Sequence, residues 1–162
     1  MSPKTKKSIL VYAVAIAVPL AVGGLSALLT SGNMDVYKEV QTPPLSPPSI
    51  LFPIVWTILY ILMGVSSARV YLRIPRDGKN SRAGLILYGV SLFFNFFWSI
   101  FFFDLRDFAL SFFWLIALFV FEILTILKYR KVDPLSAYLQ IPYALWTAFA
   151  GYLNLGILLL NR

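Results

Sequence analysis

Cysteine and histidine are both absent from this 162-residue chain. Without them there are no disulfides, no thiolate nucleophile, no cysteine or imidazole metal site, no histidine-ligated haem and no Ser–His relay. No metal and no resident cofactor are therefore expected. Charge is also scarce. Asp, Glu, Lys and Arg make up 13% of the residues, against the roughly 25% of an ordinary soluble domain. Acidic residues are the scarcer sign, seven against fourteen basic ones. What fills the chain is apolar: 59% of it is hydrophobic, with a mean hydropathy of +0.78.

The apolar residues fall into five runs, approximately 8–30, 50–72, 83–103, 108–128 and 135–160. A helix of about 20 residues crosses the ~30 Å hydrocarbon core of a bilayer. Gly84–Phe103 contains no charge and Ser111–Leu127 contains one, Glu122. The pattern predicts an all-α polytopic membrane protein, a five-transmembrane-helix bundle forming a single domain over residues 1–162. The first run has no small-x-small cleavage pattern and is read as a span rather than a signal peptide.

The net charge of +7 is distributed by topology. Lys4, Lys6 and Lys7 make the N-terminal tail basic, and Arg69, Arg73, Arg76, Lys79 and Arg82 make the second junction basic. Lys128, Arg130 and Lys131 do the same for the fourth. The first and third loops are net acidic. This alternation follows the positive-inside rule and predicts a cytoplasmic N-terminus with the C-terminus outside. It assigns the basic clusters to topology and lipid headgroups, so no nucleic-acid partner is expected.

The first run contains Pro19, Gly23 and Gly24. Pro19 predicts a bend, and the Ala13, Ala17, Ala21 stripe predicts a close helix contact. The first loop, residues 31–49, is long for so small a protein. Pro43, Pro44, Pro47 and Pro48 predict extended or turn geometry there, either as a stiff linker or as a lid over the outer mouth of the bundle. Pro53 suits the first turn of the second span. The short Asp104–Asp107 connection makes the third and fourth spans antiparallel neighbours. Asp133-Pro134 and Pro142 mark the entrance to the fifth span, with a kink expected at Pro142.

Trp56 and Tyr60 share one face of the second span. Asn95, Trp98 and Phe102 form a stripe on the third, and Tyr143, Trp146, Ala150 and Asn154 on the fifth. Asn95 and Asn154 lie deep in apolar sequence and must point inward, either as interhelical bonds or as polar handles in an aromatic pocket. Such walls suit a planar ligand by offset stacking. Glu122 must face the bundle, pair, or reach the interface. Structural, ligand- or dimer-contact and transport roles all remain open for it.

These residues resemble the TspO/MBR family, the bacterial relatives of the translocator protein once called the peripheral benzodiazepine receptor. Gly23-Gly24, then Tyr37, Pro43, Pro47-Pro48, Phe52, Trp56 and Tyr60, then Asn95, Trp98 and Phe101-Phe102 follow the family order. Pro142-Tyr143, Trp146, Phe149-Ala150, Leu153-Asn154 and Asn161 match its last helix. The resemblance implies a five-helix bundle, a homodimer in the membrane (here the bacterial cytoplasmic membrane) and binding of porphyrins or other planar hydrophobes. Carried over residue by residue, it implies a ligand site of Trp56, Tyr60, Asn95, Trp98, Tyr143, Trp146, Ala150 and Asn154. It also implies a lid carrying Tyr37, Pro43, Pro47 and Pro48. The chain departs from the pattern at Val36 and Leu45, where many bacterial members have Trp, which removes stacking surface above the pocket. After Tyr152 it lacks the basic residue of the usual sterol-recognition pattern, so sterol transport is not expected.

Four functions fit this sequence. The first is a receptor or sensor for porphyrin-like ligands. The second is light- and oxygen-dependent porphyrin breakdown, a resemblance-based reading with Trp56 and Trp146 as the catalytic candidates. The third is transport of hydrophobic ligands, disfavoured because no internal inverted repeat is visible. The fourth is an assembly role without a saturable ligand.

Overall fold

A computed structural model describes residues 3–162; the side chain of Lys4, part of the basic tail, lies outside the described residues. Its helices are α1 (Pro3–Thr30), the single turn α2 (Val36–Glu39), α3 (Leu51–Tyr71), α4 (Gly78–Ser99), α5 (Phe108–Val132) and α6 (Pro134–Leu160). There is no strand among the described residues. All but α2 are long and apolar enough to cross a membrane. The expected spans are all present, most of them a few residues longer at their polar ends.

The ends are set by local chemistry. Asp77 caps α4 by accepting from the Asn80 N–H at 3.1 Å, and Asp107 caps α5 by accepting from the Leu110 N–H at 2.9 Å. Each satisfies one of the orphan donors of a first turn. Pro134 begins α6, where its missing N–H costs nothing. At its other end α4 passes into a π-turn, Ile100–Asp104. The first loop is not extended throughout. Ser31–Asn33 form a 3-10 turn and Val36–Glu39 a helical turn, because the prolines that forbid helix begin only at Pro43. Both α1 and α6 remain helical through Pro19 and Pro142.

α5 packs along α4 and α6, whereas α1 leans mainly on α3. The Ala13, Ala17, Ala21 stripe does not make that contact; all three residues are exposed. The close approach is made from the other side by Gly64 of α3, which lies against the backbone of Ile16. A small-residue stripe permits contact but does not choose the face. Ala offers too little buried area to compete with Leu20, Ile16 and Tyr60.

The basic end of the bundle is tied by Asp133, in the turn between α5 and α6. Its carboxylate accepts from Arg69 Nε at 2.7 Å and Nη2 at 3.2 Å, and from Ser136 Oγ at 2.6 Å. Arg73 lies 3.5 Å away. Burial alone would raise the Asp133 carboxyl, but the hydrogen bonds from Arg69 and Ser136 and the two guanidinium charges outweigh it and hold it below the usual carboxylate range. A depressed carboxylate stabilises the fold above its unfolded value, about 3.9. That stabilisation disappears as pH falls through the lower folded value. Asp133 is 7% exposed and Arg69 27%, so Asp133→Ala should cost about 2–3 kcal/mol, below the cost of breaking a fully buried pair. Unfolding in detergent at neutral pH should show this gap. It should close in strong acid as the wild type loses the same contribution; a gap independent of pH would contradict the assignment.

Candidate functional site

A cavity of about 300 Å³ lies between α1, α3 and α4 beneath the first loop. Its floor and back wall are Tyr60, Asn95 and Trp98, all buried. Trp56 stacks on Tyr60, with ring centroids 5.4 Å apart and planes 26° apart. The Tyr60 hydroxyl donates to Asn95 Oδ1 at 2.8 Å. This bond fixes both side chains and turns one edge of the Asn95 amide into a committed acceptor. Gly23 of α1 makes room for the Tyr60 ring, so α1 closes one side of the cavity.

The exposed lining residues are Gly24 and Ala27 of α1, Pro53 and Thr57 of α3, and Met34 and Ser49 of the loop. They form a mouth at the α1–α3 seam, opening to the side of the bundle. Above it, Tyr37 packs against Phe52 at 5.2 Å and Phe102 at 5.8 Å. Burial raises the Tyr37 phenol above its ordinary value, so it remains a hydrogen-bond donor.

The loop is fastened to the rest of the bundle at several points. Asn33 donates to Asp104 at 2.8 Å and Arg106 to Glu39 at 2.6 Å. The Asn161 amide is bonded to both the N–H and the carbonyl of Gln41, and the Tyr152 hydroxyl donates to the Pro44 carbonyl at 2.7 Å. Pro43 is buried against Gly156 of α6, where a Cβ would come within 2.6 Å of the Pro43 Cβ. Leu45 sits at the tip with φ 67° and is 83% exposed, covering nothing. Pro47 and Pro48 lead the chain down to α3, and neither lines the cavity.

Of the residues singled out from sequence, Trp56, Tyr60, Asn95, Trp98 and Tyr37 line the cavity, whereas Tyr143, Trp146, Ala150 and Asn154 do not. The α6 residues stand one layer behind. Tyr143 meets Trp56 edge-on at 6.0 Å, and Trp146 meets Phe52 at 5.9 Å. Ala150 is buried in the core. Asn154 Oδ1 accepts from Trp98 Nε1 at 3.3 Å and from Ser111 Oγ at 3.0 Å, and its Nδ2 donates to the Phe108 carbonyl at 2.9 Å. The amide is thereby spent on joining α4, α5 and α6. Sequence reading also missed the contribution of α1, from Leu20 to Thr30. The Gly23-Gly24 pair was the available signal, since adjacent glycines inside a span mark a close approach.

The match to the description of one protein family runs over residues 15–160 and takes in every element of the site. The chain belongs to the TspO/MBR family. It is 35% identical to the tryptophan-rich protein TspO of Chlorobaculum tepidum over 96% of this chain and 98% of that one. It is 32% identical to the translocator protein of Ovis aries over 73% of this chain and 70% of the relative. A third relative, the tryptophan-rich sensory protein of Cereibacter sphaeroides, is 29% identical over 77% of this chain and 76% of its own. Together with the five spans, membership makes this TspO/MBR protein an integral membrane protein, and it fits binding of hydrophobic ligands and a membrane sensor or receptor role.

Proposed function

We propose that this TspO/MBR protein is a membrane receptor that takes a porphyrin-like planar hydrophobe into the α1–α3–α4 cavity. The observation that carries this reading is the Trp56–Tyr60 stack beside Asn95. A flat π surface and an amide with a free NH2 edge together recognise an aromatic ring bearing a carbonyl or carboxyl oxygen. The sideways mouth suits a ligand dissolved in the bilayer. Ligand pockets range over roughly 300–1,000 Å³, so the closed cavity is at the lower limit. A full macrocycle therefore requires the loop to lift from Tyr152, Asn161 and Gly156, and that movement is the receptor's signal. The protein acts as a homodimer in the bacterial cytoplasmic membrane, with its basic end cytoplasmic.

Tryptophan fluorescence of the protein in nanodiscs, titrated with protoporphyrin, tests the reading. Quenching should saturate. Asn95→Ala and Trp56→Phe should each weaken binding by about tenfold, the worth of one good hydrogen bond or stacking contact. Trp114→Phe should not, because that indole bonds to the Phe94 carbonyl, away from the cavity. Linear quenching, equal in all variants, would mean partitioning into lipid and would end the tetrapyrrole assignment. The photochemical alternative would use Trp56 as the first electron donor, with Trp146 separated from the cavity by Phe52. Loss of illuminated turnover in Trp56→Phe beyond its loss of binding would favour it.

A further inference from the structure

Beneath the ligand cavity, toward the basic end, the bundle holds a second polar region. Its centre is Glu122 on α5, 3% exposed. Glu122 Oε1 accepts from Thr147 Oγ1 of α6 at 2.7 Å. Glu122 Oε2, Tyr143 OH, Tyr88 OH and Ser81 Oγ are all buried without a hydrogen-bond partner. The Tyr143 hydroxyl faces the Glu122 carboxyl and the Tyr88 hydroxyl faces Ser67, each close to its neighbour but outside hydrogen-bond geometry, and Tyr143 is also within electrostatic reach of Tyr60 and Tyr88. Ser81, Tyr88 and Asn95 follow one another at seven-residue spacing on the buried face of α4, about 10 Å apart along the axis. Tyr129, whose hydroxyl donates to Ser67 Oγ at 3.2 Å, stands beside Tyr88 with ring centroids 6.4 Å apart.

In a soluble protein one such atom would be a local defect. Within a bilayer each unmatched group costs several kcal/mol. Three of them, Glu122 Oε2, Tyr143 OH and Tyr88 OH, lie on facing helices around Tyr143 and call for a common partner from outside the chain. The partner must both donate and accept, because Glu122 Oε2 accepts when the carboxyl is ionised and donates when it carries the proton, and the hydroxyls offer both functions. It must also be small. Water meets both conditions and bonds to two to four such groups in protein interiors.

We propose that Glu122, Tyr143 and Tyr88 enclose an internal water site, and that Glu122 exchanges its proton through it with solvent at the basic end. The route passes Ser81, the first unpartnered group inside α4. The side chains set against Glu122 are Thr147 and Tyr143 of α6, and behind Tyr143 stand Tyr60 of α3 and Tyr88 of α4, none of them a cation. A proton at Glu122 thus has no fixed charge to compete with it. At its upper edge the site is bounded by Tyr60, the donor to Asn95. The ligand floor and the exchanging carboxyl therefore share a wall.

Infrared spectroscopy of the full chain in nanodiscs tests this directly. The chain holds only two glutamates, Glu39 and Glu122, and Glu39 is an exposed partner of Arg106. Carboxyl-13C glutamate in a Glu39→Gln background therefore isolates Glu122 without altering it. On transfer from H2O to D2O at mildly acidic pH, its acid carbonyl band should shift within minutes. Tyr88→Phe and Tyr143→Phe should each slow that shift by about tenfold, each removing one bond to the water. Wild-type-like unfolding of both variants would show that the fold is retained. A band that stays unshifted for hours would overturn the proposal and indicate a dry, direct Tyr143–Glu122 contact. Exchange that is fast in the wild type and unchanged in both variants would equally overturn it.

Discussion

Gly64→Leu should detach α1 from the bundle. A Cβ at position 64 would stand 2.5 Å from Ile16 Cα and 2.7 Å from the Ala15 carbonyl oxygen. Both atoms belong to helix backbone, so no rotamer change relieves the clash. Either α1 moves away or α3 bends. Gly64→Ala already forces this choice and should cost about 1–3 kcal/mol, the usual penalty of overpacking. Leu adds three carbons in the same place and should exceed what the α1–α3 seam supplies. Gly89 gives the control. It lies inside α4 with open space where its Cβ would be. Gly89→Ala should be neutral or stabilise by up to about 1 kcal/mol through helix propensity. Thermal unfolding in detergent should separate the two substitutions, and proteolysis within residues 31–35 should accelerate only in the Gly64 variants. Equal unfolding of Gly64→Leu and Gly89→Ala would show that the seam is not close-packed. Because α1 forms one side of the cavity, Gly64→Leu should also abolish saturable ligand binding.

The five spans were legible because length and hydropathy alone identify a membrane helix, whatever its neighbours. Periodicity likewise identified the inward faces of Trp56–Tyr60 and of Asn95–Trp98. It did not say which helix each face would meet. The α6 stripe Tyr143–Trp146–Ala150–Asn154 has the same period as the α3 and α4 stripes, so sequence reading placed it in the same pocket. In the structure α6 lies behind α3, and its polar Asn154 is consumed by Trp98, Ser111 and Phe108. The wall it was expected to supply comes from α1, whose lining residues, mostly small, carry no aromatic signal. The polar region around Glu122 was illegible for a related reason. Tyr88, Tyr143 and Thr147 carry no signal singly in apolar sequence, and only packing sets Thr147 and Tyr143 on the carboxyl with Tyr88 behind them. The exposed Ala stripe of α1 shows the converse: a regular pattern, with no burial behind it in the single chain.

The two adjacent glycines of α1 should respond in opposite ways. A Cβ on Gly23 would overlap Tyr60 Cε2 and fall 2.7 Å from its hydroxyl oxygen, whereas one on Gly24 meets nothing within 4 Å. Tyr60 cannot yield cheaply, because Trp56 stacks on its ring and Asn95 holds its hydroxyl. Gly23→Ala should therefore push the ring off both partners. Stability should fall by about 1–3 kcal/mol, and ligand affinity by at least about tenfold through loss of the Tyr60–Asn95 arrangement. Gly24→Ala should leave both nearly unchanged. Gly24→Phe should retain the fold yet block binding, since its ring would grow into a cavity of only about 300 Å³. The cause is separable from any general intolerance of α1 by a double-mutant cycle. In a Tyr60→Ala background the obstructing ring is gone, and the stability cost of Gly23→Ala should shrink toward zero. A cost that persists undiminished there would place the strain elsewhere in α1. It would also remove the argument that Gly23 exists to seat the floor of the ligand site.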